Sequence, residues 1–227
     1  MAKGVVQYPH FSPVGEGALL VTFGNDISAE VNQQVRSIDK LMQEMPHVGI
    51  LEWIPAYASI LVLYDPFRIK LREAKNWVAC CLAAWSATVE VSPKQVEIIV
   101  RYGGGDGPDL PYVAEYHGIS QAQVVRKHTE QVYTVGMMGF LPGFAYLMGL
   151  NPDLVTPRLE QPRSHVPAGS VGIAGMQTGV YPQDSPGGWQ LIGRTDKVLF
   201  DPQHEPYFTL SPGDEVRFIP AQDGLQP

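Results

Sequence analysis

Glycine is concentrated in one part of this chain, the stretch from Gly136 to Arg194. Eleven of the 23 glycines lie between Gly136 and Gly193, in sequence that is otherwise mainly apolar. Glycine at this density is typical of positive φ angles, β-bulges and backbone that approaches another group closely. If the protein has a ligand site, this stretch is the first place to look for it. Polar side chains that could orient a small molecule are scattered through it: Arg158, Arg163, His165, Gln177, Tyr181, Trp189 and Arg194.

The composition predicts a folded protein with a well-buried core, because 44% of the 227 residues are apolar and only 17% are charged. The length fits one large domain or two small ones. With a formal charge of −7 and no basic face in the sequence, neither nucleic acid nor an anionic membrane is an expected partner. Adjacent Cys80 and Cys81 favour a reducing compartment, and the absence of an apolar span or leader predicts a cytoplasmic protein.

The first hundred residues alternate strand and helix patterns in the order βαββαβ. Strands are predicted at Ala18 to Phe23, Ile50 to Ile54, Ser59 to Tyr64 and Val96 to Tyr102. One helix is predicted after the N-cap Ser28, and a second is predicted to open at Asp65-Pro66. This order predicts a ferredoxin-like α+β domain over residues 1–102, followed by a glycine-rich connector at 103–108.

Residues 109–227 are predicted to form a second, mainly β domain. Two short helices come first, the second opened by a capping box of Ser120 and Gln123. Closely spaced β runs then indicate a barrel or a sandwich. The runs are Val132 to Met138, Val171 to Ala174, Gly179 to Tyr181, Trp189 to Ile192, Tyr207 to Leu210 and Glu215 to Ile219.

Several kinds of chemistry are disfavoured by the residues. The six histidines show no paired metal-ligand spacing, so no protein-bound metal is predicted. Neither cysteine lies in the glycine-rich stretch, and the serines beside His165 lack a Gly-x-Ser-x-Gly context. The loop at Gly103 lacks the Gly-Lys-Ser/Thr of a P-loop. The remaining guanidinium, imidazole, amide and backbone N–H groups suit a polar or anionic ligand, although each arginine alone fits a structural ion pair and His165 fits a structural histidine equally well.

Three long blocks stand out in the sequence: GFLPGFAYL from Gly139, PRSHVPAGSVGIAGMQTGVYP from Pro162 and SPGGWQLIGRT from Ser185. They resemble the 5-oxoprolinase B-subunit family, which is also called the allophanate hydrolase subunit 1 or KipI family. Further similarity at Phe23 to Ser28, Gly49 to Pro66 and Val100 to Leu110 extends it over nearly the whole chain. The resemblance implies that the second domain is a cyclophilin-like β-barrel.

The resemblance also implies a function. The chain is expected to be the B component of a cytoplasmic hetero-oligomeric hydrolase that uses ATP, with Mg²⁺, to open 5-oxo-L-proline to L-glutamate. Its expected partners are a carboxyltransferase-related, KipA-like C component and a LamB/YcsF-like A component, and the isolated chain is expected to be inactive. Two alternatives stay open: a KipI-like inhibitor of a sensor histidine kinase, and an allophanate- or urea-carboxylase-type carboxyltransferase partner.

A mechanism for the expected reaction assigns roles to ten residues. The lactam carbonyl is a poor electrophile, so ATP is expected to phosphorylate the amide oxygen before water opens the ring, which calls for cations and N–H donors. Arg163 and Arg194 are the candidates for anion contacts, with His165 and Gln177 as hydrogen-bonding partners. At His165 the sequence differs from the family pattern, in which an arginine-like residue is expected. This difference argues against an essential catalytic role for the imidazole. The predicted substrate- or nucleotide-binding residues are Phe140, Phe144, Gly169, Ser170, Tyr181 and Trp189.

Overall fold

The chain divides into two compact units, Met1–Ser92 and Pro93–Pro227. The structure is a computed structural model, and it describes residues 7–85 and 93–221. The outer ends of the two predicted domains, residues 1–6 and 222–227, lie outside the described residues. Each unit has a hydrophobic core of its own.

The N-terminal unit contains a four-stranded antiparallel sheet with the strand order β1-β2-β4-β3. Its elements are β1 (His10–Val14), β2 (Ala18–Thr22), α1 (Ala29–Glu44), β3 (Ile50–Pro55), β4 (Ser59–Tyr64) and α2 (Leu71–Ala84). Alternate residues of β2 and β4, such as Leu19, Val21 and Ile60, are fully buried in a core shared with both helices. Period-2 burial of this kind is expected for a sheet that packs helices on one face.

Helix α1 begins where the sequence predicts. The Val31 N–H donates to the Ser28 hydroxyl over 3.1 Å, which satisfies one of the free donors of the first turn. Helix α2 begins later than predicted, at Leu71, because Asp65 caps a preceding turn through the Phe67 N–H instead. Phe67, which would lie in the first turn of a helix that opened at Asp65-Pro66, is 97% exposed.

The ferredoxin-like layer is confirmed, but its outermost strand is β1 and not the predicted strand at Val96 to Tyr102. β1 joins β2 through a short turn, so the sheet is completed by a local hairpin with little loop-closure entropy. Pro13 is tolerated in β1 because an edge strand has one row of backbone groups outside the ladder. The unit boundary therefore lies between Ser92 and Pro93, and the predicted boundary after residue 102 is wrong.

The C-terminal unit is built on a closed seven-stranded barrel of order β10-β7-β6-β13-β5-β12-β9, closed by the pairing of β9 with β10. β5 and β13 pair in parallel, and a separate two-stranded sheet joins β8 to β11. The elements are β5 (Gln95–Tyr102), α3 (Leu110–His117), α4 (Gln121–Thr129), β6 (Tyr133–Met138), β7 (Ala145–Met148), β8 (Arg163–Val166), β9 (Ser170–Ala174), β10 (Gln177–Val180), β11 (Ser185–Gly187), β12 (Gln190–Arg194) and β13 (Glu215–Pro220).

β5 belongs to the barrel because its neighbours are there. It pairs with β13 over six residues, from Gln95 to Val100, and with β12 through Arg101 and Tyr102. The predicted connector at 103–108 is likewise part of this unit: the Gly103 N–H donates to the Ile192 carbonyl over 3.1 Å. The strands β6, β9, β10, β12 and β13 overlap predicted β runs, whereas the run at Tyr207 to Leu210 forms only an isolated bridge between Phe208 and Phe200.

Helix α4 anchors the barrel through a buried histidine, His128. The capping box predicted at Ser120 and Gln123 is present at its start. In the last turn, His128 Nδ1 lies 2.8 Å from the Tyr102 hydroxyl and its Nε2 lies 3.0 Å from the Thr178 hydroxyl. The Thr178 hydroxyl donates to the Gly172 carbonyl, so Nε2 carries the proton and Nδ1 accepts from Tyr102. Burial lowers the pKa of His128 to about 3.

Candidate functional site

An aromatic cluster in the C-terminal unit lies apart from the barrel core. Phe144, Tyr181 and Trp189 are at most 5% exposed and pack with residues of two barrel strands, β9 and β12, and of β8. The Phe144 ring meets Tyr181 at 5.3 Å and Trp189 at 5.4 Å, both nearly edge to face. Edge-to-face contact is a favoured arrangement of aromatic rings, so the apolar rings of this cluster are held in defined orientations.

The cluster forms the wall of a cavity of ≈ 300 Å³, which we call the aromatic cavity. Its volume is at the lower end of the range for small-molecule pockets, which suits a small metabolite. Gly187 is required here, because a Cβ at that position would collide with the Tyr181 phenol. The lining residues are Phe140, Phe144, Tyr146, Arg158, Leu159, Pro162, Tyr181, Pro186, Gly187, Gly188 and Trp189.

Arg158 is the cation of the aromatic cavity. Its guanidinium carbon lies 6.0 Å from the centre of the Trp189 ring, within the range of a cation–π contact. Burial raises the pKa of Tyr146 and of Tyr181, and in both cases the positive charge of Arg158 opposes part of the shift. Both phenols therefore keep their protons at neutral pH. Among the described residues of its lining, the aromatic cavity combines apolar rings with one guanidinium and two neutral hydroxyls.

Phe140 stands at the mouth of the aromatic cavity in a strained conformation. Its φ is 69°, a left-handed value that costs a bulky residue on the order of 1–3 kcal/mol. The side chain is 59% exposed, yet its ring contacts Phe144 edge to face at 5.5 Å. It also lines a second, apolar cavity of ≈ 470 Å³ with Pro142, Phe208 and Leu210. Strain of this kind at an exposed aromatic residue is common at binding sites.

Arg163, a predicted anion contact, is held in a structural ion pair. Its Nη2 donates to Asp109 Oδ1 over 2.6 Å, and its Nη1 donates to the Trp189 carbonyl over 3.3 Å. The other oxygen of Asp109 accepts from the Leu191 N–H over 2.6 Å. The pair thus joins β8, the start of α3 and the segment that carries Trp189. This geometry suits Arg163 for positioning the aromatic wall.

The other predicted polar residues lie elsewhere on the unit. His165 is exposed, and its Nε2 lies 3.1 Å from Asp184 Oδ2. Arg194 donates through Nε to the Ala168 carbonyl over 2.9 Å. Gln177 is the first residue of β10, opposite Ala174. Among the described residues, the lining of the aromatic cavity includes none of these three, nor Arg163.

Gly169 and Ser170 support the barrel wall. Gly169 has a φ of 81°, and a Cβ there would collide with the Thr195 carbonyl oxygen. Its N–H donates to the Tyr181 carbonyl over 2.7 Å, and the carbonyl of Ser170, which is 2% exposed, accepts from the Tyr181 N–H. Both residues therefore hold the backbone of Tyr181 through hydrogen bonds.

The structure thus brings together four of the ten predicted site residues: Phe140, Phe144, Tyr181 and Trp189. From the sequence, Arg158 is predicted only as a possible orienting group without an assigned role, and Asp109 has no predicted role. The signal for Arg158 is its place in the glycine-rich stretch. Asp109 has no comparable signal, because its partners Arg163 and Leu191 lie 54 and 82 residues away.

Residues 7–85 and 93–221 contain neither a metal-ligand cluster nor a membrane-spanning helix. In this part of the chain, no group of three or more His, Cys, Asp or Glu residues could hold a metal ion. None of the helices described there is long and apolar enough to cross a bilayer.

Comparison with known proteins shows the family to which this chain belongs. Residues 9–210 match the family described as "Carboxyltransferase domain, subdomain C and D". The B subunit of 5-oxoprolinase from Bacillus subtilis (strain 168) is 42% identical over 216 residues, which cover 91% of this chain and 90% of the relative. The chain belongs to the 5-oxoprolinase B-subunit family. The corresponding protein of Escherichia coli O157:H7 is 41% identical, with 93% of this chain and 96% of the relative covered.

The chain is also similar to part of longer proteins. In the crystal structure of TTHA0988, 92% of this chain superposes with a TM-score of 0.80 and 37% identity. This chain spans 41% of that longer chain. The urea amidolyase of Lachancea kluyveri is 26% identical over 94% of this chain, which corresponds to 13% of the relative. The family resemblance expected from the sequence is confirmed, and the name of its members indicates one component of a multi-subunit hydrolase.

Proposed function

We propose that this chain is the B component of an ATP-dependent 5-oxoprolinase, which opens 5-oxo-L-proline to L-glutamate together with a LamB/YcsF-like A component and a KipA-like C component. The observation that carries the proposal is full-length similarity at 40–42% identity to three proteins named as B subunits of 5-oxoprolinase. Such similarity covers both units of the chain, so it includes the aromatic cavity and its supports.

The contribution of this chain to the reaction is the aromatic cavity. Its flat apolar walls suit the methylene face of a lactam ring, and its polar groups suit the ring amide and a carboxylate. Arg163 acts as a positioning residue through Asp109 and the Trp189 carbonyl. Roles in catalysis for His165, Gln177 and Arg194 stay predictions.

The nucleotide is a co-substrate of the assembled enzyme and is bound outside the aromatic cavity. Mg²⁺ with a nucleotide is held by one or two carboxylates together with the phosphates. Among the described residues, the lining of the aromatic cavity contains no carboxylate, so it does not fit a magnesium–nucleotide complex. Phosphoryl transfer therefore depends on groups outside the aromatic cavity.

The proposal is tested by mixing this chain with the purified A and C components and measuring ADP released on addition of 5-oxo-L-proline. Substrate-dependent release that requires this chain supports the proposal, and gel filtration after co-expression shows whether this chain and the C component elute together. ADP release that is independent of 5-oxo-L-proline, or undiminished when this chain is omitted, would rule the proposed reaction out.

A second function is favoured by a specific observation. The matching family is described as a carboxyltransferase domain, and the urea amidolyase relative covers 94% of this chain. As a urea-carboxylase-type partner, the chain would support transfer of a carboxyl group from a biotin carrier to urea. Carboxylation of urea, with no turnover of 5-oxo-L-proline, would select this alternative.

The kinase-inhibitor alternative stays a prediction. It is distinguished by adding this chain to a sensor histidine kinase from the same organism and following autophosphorylation. Inhibition at stoichiometric concentrations would favour it, whereas unchanged autophosphorylation would remove it for that kinase.

A further inference from the structure

The cations of the C-terminal unit differ in what they bind. Arg163 pairs with Asp109, Arg101 with Asp106 and Asp196, Arg126 with Glu130, and Lys127 with Asp153. Arg158 lines the aromatic cavity and contacts the face of Trp189 instead. Within the described part of the chain, no carboxylate lies within ion-pair distance of Arg158. Its positive charge is therefore available to a ligand in the aromatic cavity.

The other groups of the aromatic cavity restrict the shape of that ligand. The walls are aromatic rings and the flat faces of Pro162 and Pro186, which favour a planar or nearly planar molecule. The Trp189 main chain hydrogen-bonds to the Tyr181 phenol, which fixes the phenol oxygen. Its proton can then be donated to an acceptor in the aromatic cavity, such as an amide oxygen. The Arg158 guanidinium can meet a carboxylate with two parallel hydrogen bonds.

We propose that the aromatic cavity binds a small, planar carboxylate, and that Arg158 selects its negative charge. Only the choice of 5-oxo-L-proline as the first probe rests on the proposed function. The Arg158 guanidinium pairs with the carboxylate at the rim, the Tyr181 hydroxyl donates to the ring carbonyl, and Trp189 covers one face of the ring. Arg158 is the specificity-determining residue, and Arg163 holds the wall in place.

The proposal predicts a dependence of affinity on charge. A charge-assisted, two-pronged hydrogen bond at a partly apolar site contributes a factor of about ten or more to affinity. Arg158→Gln should therefore weaken binding of 5-oxo-L-proline about tenfold or more. Binding of 2-pyrrolidinone, which has the same lactam ring without the carboxylate, should change less than about twofold. Arg158→Lys should be intermediate, because it keeps the charge and loses the planar fork.

The experiment is isothermal titration calorimetry of the full-length chain with both probes. The variants are Arg158→Gln, Arg158→Lys and the control Arg126→Gln, an exposed arginine of the same unit that is paired with Glu130. The same variants are assembled with the A and C components, and KM for 5-oxo-L-proline is measured. A loss of affinity or a rise in KM confined to the Arg158 variants supports the proposal. Because Arg158 is an exposed residue, its variants should fold normally. Thermal melting of each variant checks this.

Two results would overturn the proposal. One is equal affinity and equal KM for wild type and Arg158→Gln. The other is an equal loss for 5-oxo-L-proline and 2-pyrrolidinone, which would make Arg158 a packing residue. Failure of the proposed function is a separate outcome: an assembly that does not turn over 5-oxo-L-proline, while the isolated chain binds it in an Arg158-dependent way. Conversely, normal turnover with unchanged Arg158→Gln kinetics removes this inference and leaves the function intact.

Discussion

At the scale of single residues, Arg163 has a structural role through its ion pair with Asp109. Arg163 is 29% exposed and Asp109 13% exposed, and their contact is 2.6 Å long. Asp109 also accepts the Leu191 N–H. Removing one partner leaves a half-buried charge without its counterion, and this lowers the free energy of unfolding. The loss is larger than any net stabilisation of the intact pair relative to two apolar residues. Loss of Arg163 should therefore reduce the stability of the fold directly and affect ligand contacts only indirectly.

We predict that Arg163→Ala lowers the free energy of unfolding by about 1–3 kcal/mol. The measurement is urea unfolding of wild type, Arg163→Ala, Asp109→Ala and the double variant. Because both single changes break the same contact, the double variant should be less destabilised than the sum of the two. Strict additivity of the two changes would contradict a structural pair, and so would an undiminished stability of Arg163→Ala.

At the scale of the elements, α4 is joined to the barrel by a histidine that stays neutral. Burial lowers the pKa of His128 to about 3, whereas an unfolded histidine titrates near 6.5. Between these values the unfolded chain binds more protons than the folded chain, so stability falls as the pH is lowered from about 6.5. Above that pH, His128 adds no pH dependence.

The His128 prediction concerns the slope of stability with pH. Between pH 6 and pH 5, the wild type should lose about 1 kcal/mol more per pH unit than His128→Gln, since a single titrating group contributes at most about 1.4 kcal/mol per unit. Glutamine keeps a hydrogen-bond donor and an acceptor at this position. Any constant loss of stability caused by the substitution does not matter, because only the slopes of stability with pH are compared. Parallel slopes for the two proteins would show that His128 does not stay neutral in the folded chain.

The elements also show what local sequence can predict. The capping box of α4 and the strands β3 and β4 are predicted because each signal lies within a few consecutive residues. The alternation in Val96 to Tyr102 identifies a strand but not its partners, which lie more than 90 residues downstream. The same limit applies to the site: an aromatic residue is recognisable in sequence, but the approach of Arg158 to Trp189 depends on the tertiary fold.

At the scale of the whole molecule, the corrected boundary can be tested by truncation. A fragment of residues 93–227 retains β5, and we predict that it folds with one cooperative unfolding transition. A fragment of residues 103–227 follows the boundary predicted from sequence and lacks the strand between β13 and β12. It should be insoluble or unfolded, because the barrel cannot close. Circular dichroism and solubility measure both outcomes, and equal stability of the two fragments would refute the boundary at Ser92.

In the proposed function, the whole chain is one component of a hydrolase and helps to hold its substrate. The most direct measurement is the rate of L-glutamate formation from 5-oxo-L-proline by the A and C components, with ATP, as this chain is titrated in. No L-glutamate should form without this chain, and the rate should rise to a plateau at a fixed molar ratio. An unchanged rate across the titration would contradict the proposed function.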